Sequence, residues 1–374
     1  MSTFPYIFTF YSYKGDVGRS MALLNAAYAL VHRGRHVLMI DFDLEAPGVS
    51  GFLERNGELG DAPPDASKDV VDLLSALGMA KKLSDVPPID AYRRSVLPTK
   101  LERLAPKLGK IGRLDAIVAG LSSDYWQRLT TLDLASLDQH KLLELSAKLW
   151  KYVKAQRFPF RPHGLSTEPP EATPYDYVLV DSRTGMTDVG GLCVGPLADR
   201  LVVVTGLNDQ NVNGTLDFLK EAGIRPQRRT AKDKAWDEAD PLGGEAGQKT
   251  DDDEANLGLG PKPTLIVASP IPSGEIAFKE KRLGEIRKKL GDVAVTLSYH
   301  PQMALMETLF VRDHPEEYLA SEYEDLTAKL MAQVRDDAAH LLTSPEAPVT
   351  KRTLEKALRL ASADPRIGGH ALMQ

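Results

Sequence analysis

The strongest constraint in this chain is a hydrophobic stretch that breaks into a glycine-bearing loop and runs directly into a helix. Residues 8–20 read FTFYSYKGDVGRS. Ile7, Phe8, Phe10, Tyr11 and Tyr13 describe a buried strand, and Met21, Leu23, Leu24, Ala27, Tyr28 and Val31 recur at helical spacing. Between them lies Lys14-Gly15-Asp16-Val17-Gly18-Arg19-Ser20. Strand, loop, helix is the order a phosphate-binding site needs, because loop amides and the positive end of the helix converge on one anion. The hydroxyl of Ser20, at the helix start, can ligate Mg²⁺.

The loop departs from the common G-x-x-x-x-G-K-[ST] pattern. Tyr13 stands at the first glycine and Arg19 at the lysine. It resembles instead the deviant Walker A loop, KGGxGK[ST], of the ParA/MinD family of dimerising P-loop ATPases. The resemblance implies that Lys14 reaches phosphate, often across a dimer interface. Two departures bear on this. Arg19 replaces a compact ammonium with a planar fork, and Asp16 places a carboxylate and a Cβ where the family has glycine.

Two further motifs follow in order. HVLMIDFDLEAPGVS is a strand, Val37 to Ile40, followed by Asp41, Asp43, Pro47 and Gly48, similar to the family's DxDxxxPG signature. Carboxylates at that strand end lie in the crevice where ligands bind in such sheets. There Asp41 would orient water or hold the Mg²⁺ shell, with Asp43 in support. YDYVLVDSRTG is an apolar strand, Tyr175 to Val180, ending in Asp181, the shape of a Walker B element whose acid holds Mg²⁺. Arg183 is open to contact with phosphate, a partner or solvent.

The implied fold is an α/β, doubly wound, mainly parallel sheet of the P-loop NTPase type, with a helical insertion. We expect a domain over 1–345, with the insertion at about 56–111, a mobile loop at about 226–262 and a tail helix in 346–374. Pro87, Pro88, Pro98 and Pro106 punctuate the insertion, which reads as short helices rather than more sheet. Further strands are expected at Leu114–Leu121, Leu201–Thr205, Thr264–Ala268 and Val293–Ser298, and helices at 135–155 and 322–342. Trp126, Trp150 and Tyr152 are expected in the core. Asn213 reads as the N-cap of the helix it begins. His300 and His314 read as structural or surface residues.

The family resemblance also implies that Gly120 to Ser123 line the site and that Met186 to Gly195 form a switch loop sensing the γ-phosphate. It makes Asn208 and Pro301 candidates for contact with adenine. The nucleotide set is then Lys14, Gly15, Asp16, Val17, Gly18, Arg19, Ser20, Met21, Asn208 and Pro301. Lys14, Arg19 and Asp41 carry catalysis, while Ser20, Asp41 and Asp181 hold Mg²⁺.

Composition limits the partners. A net charge of −6 argues against a general nucleic-acid coat, leaving local basic patches such as RPQRRTAKDK. The single cysteine, Cys193, excludes an internal disulfide and fits a reducing cytoplasm. No apolar run reaches membrane-span length, and the tail KRTLEKALRLA has too thin an apolar face for a strong membrane anchor.

The expected function is a Mg²⁺-dependent ATPase that dimerises around ATP and positions or regulates a protein partner. A nucleotide-sensing scaffold with little hydrolysis is the alternative, favoured by Asp16 and Arg19. The arginine form of the loop also resembles bacterial regulatory or defence proteins. A metabolic enzyme on the same fold ranks last, since no cysteine or paired-histidine nucleophile site supports it.

Overall fold

Alternation along the strands sets the layers. In the first strand, β1 (Tyr6–Tyr11), Tyr6, Phe8 and Phe10 pack into one apolar cluster, while Ile7 and Tyr11 pack on the opposite face. Every residue of β1 is buried, as expected of a strand covered on both sides. The computed structural model describes residues 5–60, 68–97, 111–160, 171–185, 187–222, 224 and 262–343.

The other strands are β2 (Val37–Asp41), β3 (Arg93–Ser95), β4 (Leu114–Ile117), β5 (Phe158–Phe160), β6 (Glu171–Thr173), β7 (Tyr177–Asp181), β8 (Arg200–Thr205), β9 (Thr264–Ile271) and β10 (Val293–Ser298). Eight of them form one sheet in the order β10-β9-β8-β1-β7-β2-β4-β3. All neighbours are parallel except β3, which runs antiparallel to β4. The carboxyl ends of β1, β2 and β7 therefore share one edge, with β1 central.

The helices are α1 (Arg19–His32), α2 (Gly48–Arg55), α3 (Val70–Met79), α4 (Tyr125–Leu132), α5 (Gln139–Ala155), α6 (Asp188–Val194), α7 (Asp209–Glu221), α8 (Ile276–Leu290), α9 (Phe310–Asp313) and α10 (Tyr318–Thr343). Residues of α1, α2, α9 and α10 share a cluster on one face, and those of α3, α5, α6, α7 and α8 fill the other. This is the expected doubly wound arrangement.

Several local expectations are corrected. The segment after β2 supplies α3 and also the edge strand β3, so it extends the sheet rather than only inserting helices. Asp115, buried on β4, accepts hydrogen bonds from Ser95 on β3 and from Arg93 and Arg113, which holds that edge in place. The strand expected to Leu121 stops at Ile117. The loop expected after Asp181 contains α6, capped by Thr187, whose side chain accepts from the Gly190 amide. Before β7, β5 and β6 pair as a small antiparallel ribbon outside the main sheet. Trp126 is exposed, whereas Tyr152 is buried and Trp150 packs partly buried against the core. The stretch 226–261 and the tail 346–374 lie outside the described residues.

Asn213 is not a cap. The helix begins four residues earlier, and the Asn208 side chain accepts from the Asn211 amide, while Asn213 accepts from Lys289. The earlier start adds a turn to α7 that buries Asn211 and Val212.

Candidate nucleotide site

The loop between β1 and α1 holds Asp16 at φ 61° and Gly18 at φ 78°, both in the left-handed region. Glycine suits such a position, and Asp is among the residues that tolerate it. Helix α1 opens at Arg19, with no side-chain cap at Gly18. The amides of Gly15, Asp16, Val17 and Gly18 donate to no acceptor among the described residues. An uncapped helix start preceded by free amides is a concavity that attracts an anion.

Tyr13, where the common loop has glycine, packs on Gly214 of α7. A Cβ added at Gly214 would come within 2.2 Å of the Tyr13 ring. The aromatic ring at the loop entrance is thus matched by a glycine across from it. Gly214→Ala should cost about 1–3 kcal/mol by overpacking, read by urea denaturation, and Tyr13→Ala in the same chain should recover most of that loss.

Arg19 turns inward. It is 5% exposed; its Nε donates to Asp181 Oδ1 at 2.6 Å and its Nη2 to Asp43 Oδ2 at 2.8 Å. Its Nη1 is buried and has no partner among the described residues. Burial disfavours its charge, but Asp181 and Asp43 outweigh this and hold it protonated. Ser20 donates to Asp181 Oδ2 at 2.6 Å. Gly48 fits closely against this pair: a Cβ there would sit 2.9 Å from Ser20 Oγ. The glycine of DxDxxxPG is therefore required by the crowding at Ser20.

Asp41 and Asp181 are register partners on adjacent strands. Asp41 Oδ2 accepts from the Ser50 amide at 2.8 Å and from Ser50 Oγ at 2.7 Å, and Oδ1 accepts from the Asp43 amide at 3.1 Å. Ser50 Oγ also accepts from the Ala119 amide, tying the end of β2 to the loop after β4. Sequence reading missed Ser50, whose only signal was a hydroxyl two residues after the motif glycine, in the first turn of a helix. Burial first, and the Asp181 charge second, push the Asp41 carboxyl up to about 7, against the Ser50 hydrogen bonds. Burial also raises Asp181, partly offset by Arg19 and Ser20.

This has a pH consequence. A carboxyl raised in the folded protein binds protons more tightly than in the unfolded chain between about 4 and 7, so its contribution to stability falls as pH rises through that window. Asp41→Asn should therefore compare more favourably with the parent chain at pH 8 than at pH 5 in denaturant unfolding. The reverse order would remove this account.

Arg183 does not point at the loop. It forms a bidentate pair with Glu45, spanning the turns after β2 and β7. Lys14 is exposed and has no ion pair among the described residues. The loop of Gly120 is held against the site, since a Cβ at Gly120 would meet Pro47 at 2.9 Å. Asn208 uses its oxygen to cap α7, and Pro301 starts an exposed turn after β10. The two lie on the loops after β8 and β10. His300 accepts from the Gln302 amide and packs edge-on against Phe310, a structural role.

The residues present suit a magnesium nucleotide. Arg19 pairs with Asp43 and Asp181, and its Nη1 donor has no partner among the described residues. Among the described residues no group of three or more His, Cys, Asp or Glu is placed to hold a metal unaided. Ser20 Oγ and Asp181 Oδ2, 2.6 Å apart, are oxygen donors of the kind Mg²⁺ takes one or two of, with phosphate and water completing its shell.

No protein-family model matches the sequence, and no curated protein matches it significantly. Solved structures do match. A plasmid partition protein from Borrelia burgdorferi B31 bound to AMPPNP is similar at 16% identity with a TM-score of 0.50, covering 88% of this chain and 99% of its own. A ParA family ATPase from Chlorobium tepidum TLS matches at 16% identity and TM-score 0.48, covering 87% and 99%. The septum site-determining protein MinD complexed with Mg-ADP from Pyrococcus horikoshii OT3 matches at 15% identity and TM-score 0.49, covering 87% and 95%. With its parallel sheet and central loop strand, this chain has the doubly wound P-loop fold of that plasmid partition protein.

Proposed function

We propose that this protein binds ATP with Mg²⁺ at the β1–α1 loop, hydrolyses it slowly, and uses the bound nucleotide to change its dimer or partner state. The observation that carries the reading is the convergence at one sheet edge of Ser20, Asp181, and loop amides and an Arg19 donor that have no partner among the described residues. The loop amides 15–20 and Arg19 would hold the phosphates, with Met21 in the first turn behind them. Ser20 and Asp181 would hold Mg²⁺, which stabilises charge developing on the transferred phosphoryl group. Asp41, fixed by Ser50, would orient water and the Mg²⁺ shell.

Lys14 is exposed at the loop, so its charge is available to a nucleotide held by this copy or by a second one. The adenine would meet the loops bearing Asn208 and Pro301. We place the protein in the cytoplasm on its single cysteine, Cys193; among the described residues no helix is long and apolar enough to cross a membrane.

The test is equilibrium binding of ATP with Mg²⁺, phosphate release, and mass in solution with and without nucleotide. Binding with a shift from monomer to dimer supports the switch. Binding and dimerisation without turnover select the sensing scaffold, which the left-handed Asp16 and the tied-down Arg19 favour. No binding overturns both.

A further inference from the structure

We propose that Asp43 sets nucleotide affinity by competing with phosphate for Arg19, a self-restraint that rests on the nucleotide-binding reading above. The guanidinium offers two edges to a bidentate acceptor. Its Nε–Nη2 edge is divided between two carboxylates, with Nε on Asp181 at 2.6 Å and Nη2 on Asp43 at 2.8 Å. A phosphate approaching end-on needs Nη1 and Nη2. Nη1 is buried and has no partner among the described residues, so Nη2 is the one end-on nitrogen that phosphate would have to take from a carboxylate. Asp181 on Nε leaves that edge open and can keep its bond.

The two carboxylates also differ in setting. Asp181 is fully buried and also accepts from Ser20, whereas Asp43 is 14% exposed and Arg19 is the side chain it pairs with. Asp43 can therefore give up Arg19 and turn to water at lower cost. While it holds Arg19, it also keeps a negative charge beside the place where phosphate charge would arrive. A lysine, a single point charge, would not carry both bonds in this fixed fork, so the restraint depends on arginine at this position.

The test measures ATP and ADP affinity in EDTA and in Mg²⁺ for the parent chain, Asp43→Asn, Asp43→Ser, Arg19→Lys and the Arg19→Lys/Asp43→Asn double variant, with melting curves to confirm folding. Asp43→Asn and Asp43→Ser should tighten binding in EDTA by about tenfold or more. In the Arg19→Lys background the same change should give less than about threefold, because the fork is gone. Equal or weaker affinity in both Asp43 variants, with the parent chain binding, overturns the restraint and leaves the nucleotide reading intact. Tightening of the same size in the Arg19→Lys background assigns the effect to removal of a negative charge and also overturns it. Absence of binding in every chain and condition overturns the nucleotide reading itself, and the restraint with it.

Discussion

Asp181→Ala is expected to abolish Mg²⁺-dependent ATP hydrolysis and to lower unfolding stability by about 3–5 kcal/mol. The size follows from what this carboxylate holds. It is fully buried and accepts from Arg19 Nε and Ser20 Oγ, both at 2.6 Å. Without it, Arg19 stays buried with only the partly exposed Asp43 to balance its charge, and Ser20 loses its acceptor. A buried charge stripped of its closest partner costs much more than a surface pair contributes. Urea unfolding and phosphate release from the same preparations check both halves. An Asp181→Ala chain that keeps turnover would remove Asp181 from the Mg²⁺ site, whatever its stability.

Asp115→Ala is expected to cost a similar amount, about 3–5 kcal/mol, while nucleotide affinity of the folded fraction stays within about twofold. Asp115 is fully buried on β4 and accepts from Ser95 Oγ at 2.7 Å, Arg113 Nε at 2.6 Å, Arg93 Nη1 at 3.1 Å and Tyr175 OH at 2.6 Å. Its removal leaves two arginines and a phenol around an emptied buried site. It sits opposite Leu38, three residues before the Asp41 level, about 10 Å along the strand from the carboxylate cluster. Unfolding curves and nucleotide titration separate the two roles. Loss of affinity together with stability would mean that the β3–β4 edge shapes the nucleotide site as well.

The central part of the fold was legible because it is written locally. Complete burial makes β1, β2, β7 and β8 near-continuous apolar runs, and turn residues with polar tips mark where each one ends. The strand–loop–helix order at residues 8–20 leaves few ways to fold, and acids at two further strand ends can meet only at the same edge. What misled were elements whose stability comes from across the molecule. β3 is three half-buried residues with no strand pattern of its own, and it pairs because Ser95 and Arg93 reach the buried Asp115. α6 lies in a glycine-bearing stretch that reads as loop, and burial of Val189, Leu192 and Cys193 makes it helical.

The sequence by itself determined the class of fold, the order of the three motifs, and the identity of the acids and of the arginine that meet at the loop. Periodicity and turn chemistry act over a few residues, so they survive without knowledge of the rest. Only the tertiary structure decided how those groups are arranged. Arg19 faces inward to Asp43 and Asp181 rather than outward, Ser50 fixes Asp41, Arg183 is taken by Glu45, and Tyr13 rests on Gly214. Each of these pairs residues on different elements, most of them far apart in the chain. Their choice of partner depends on burial and distance, and neither exists until the sheet has formed.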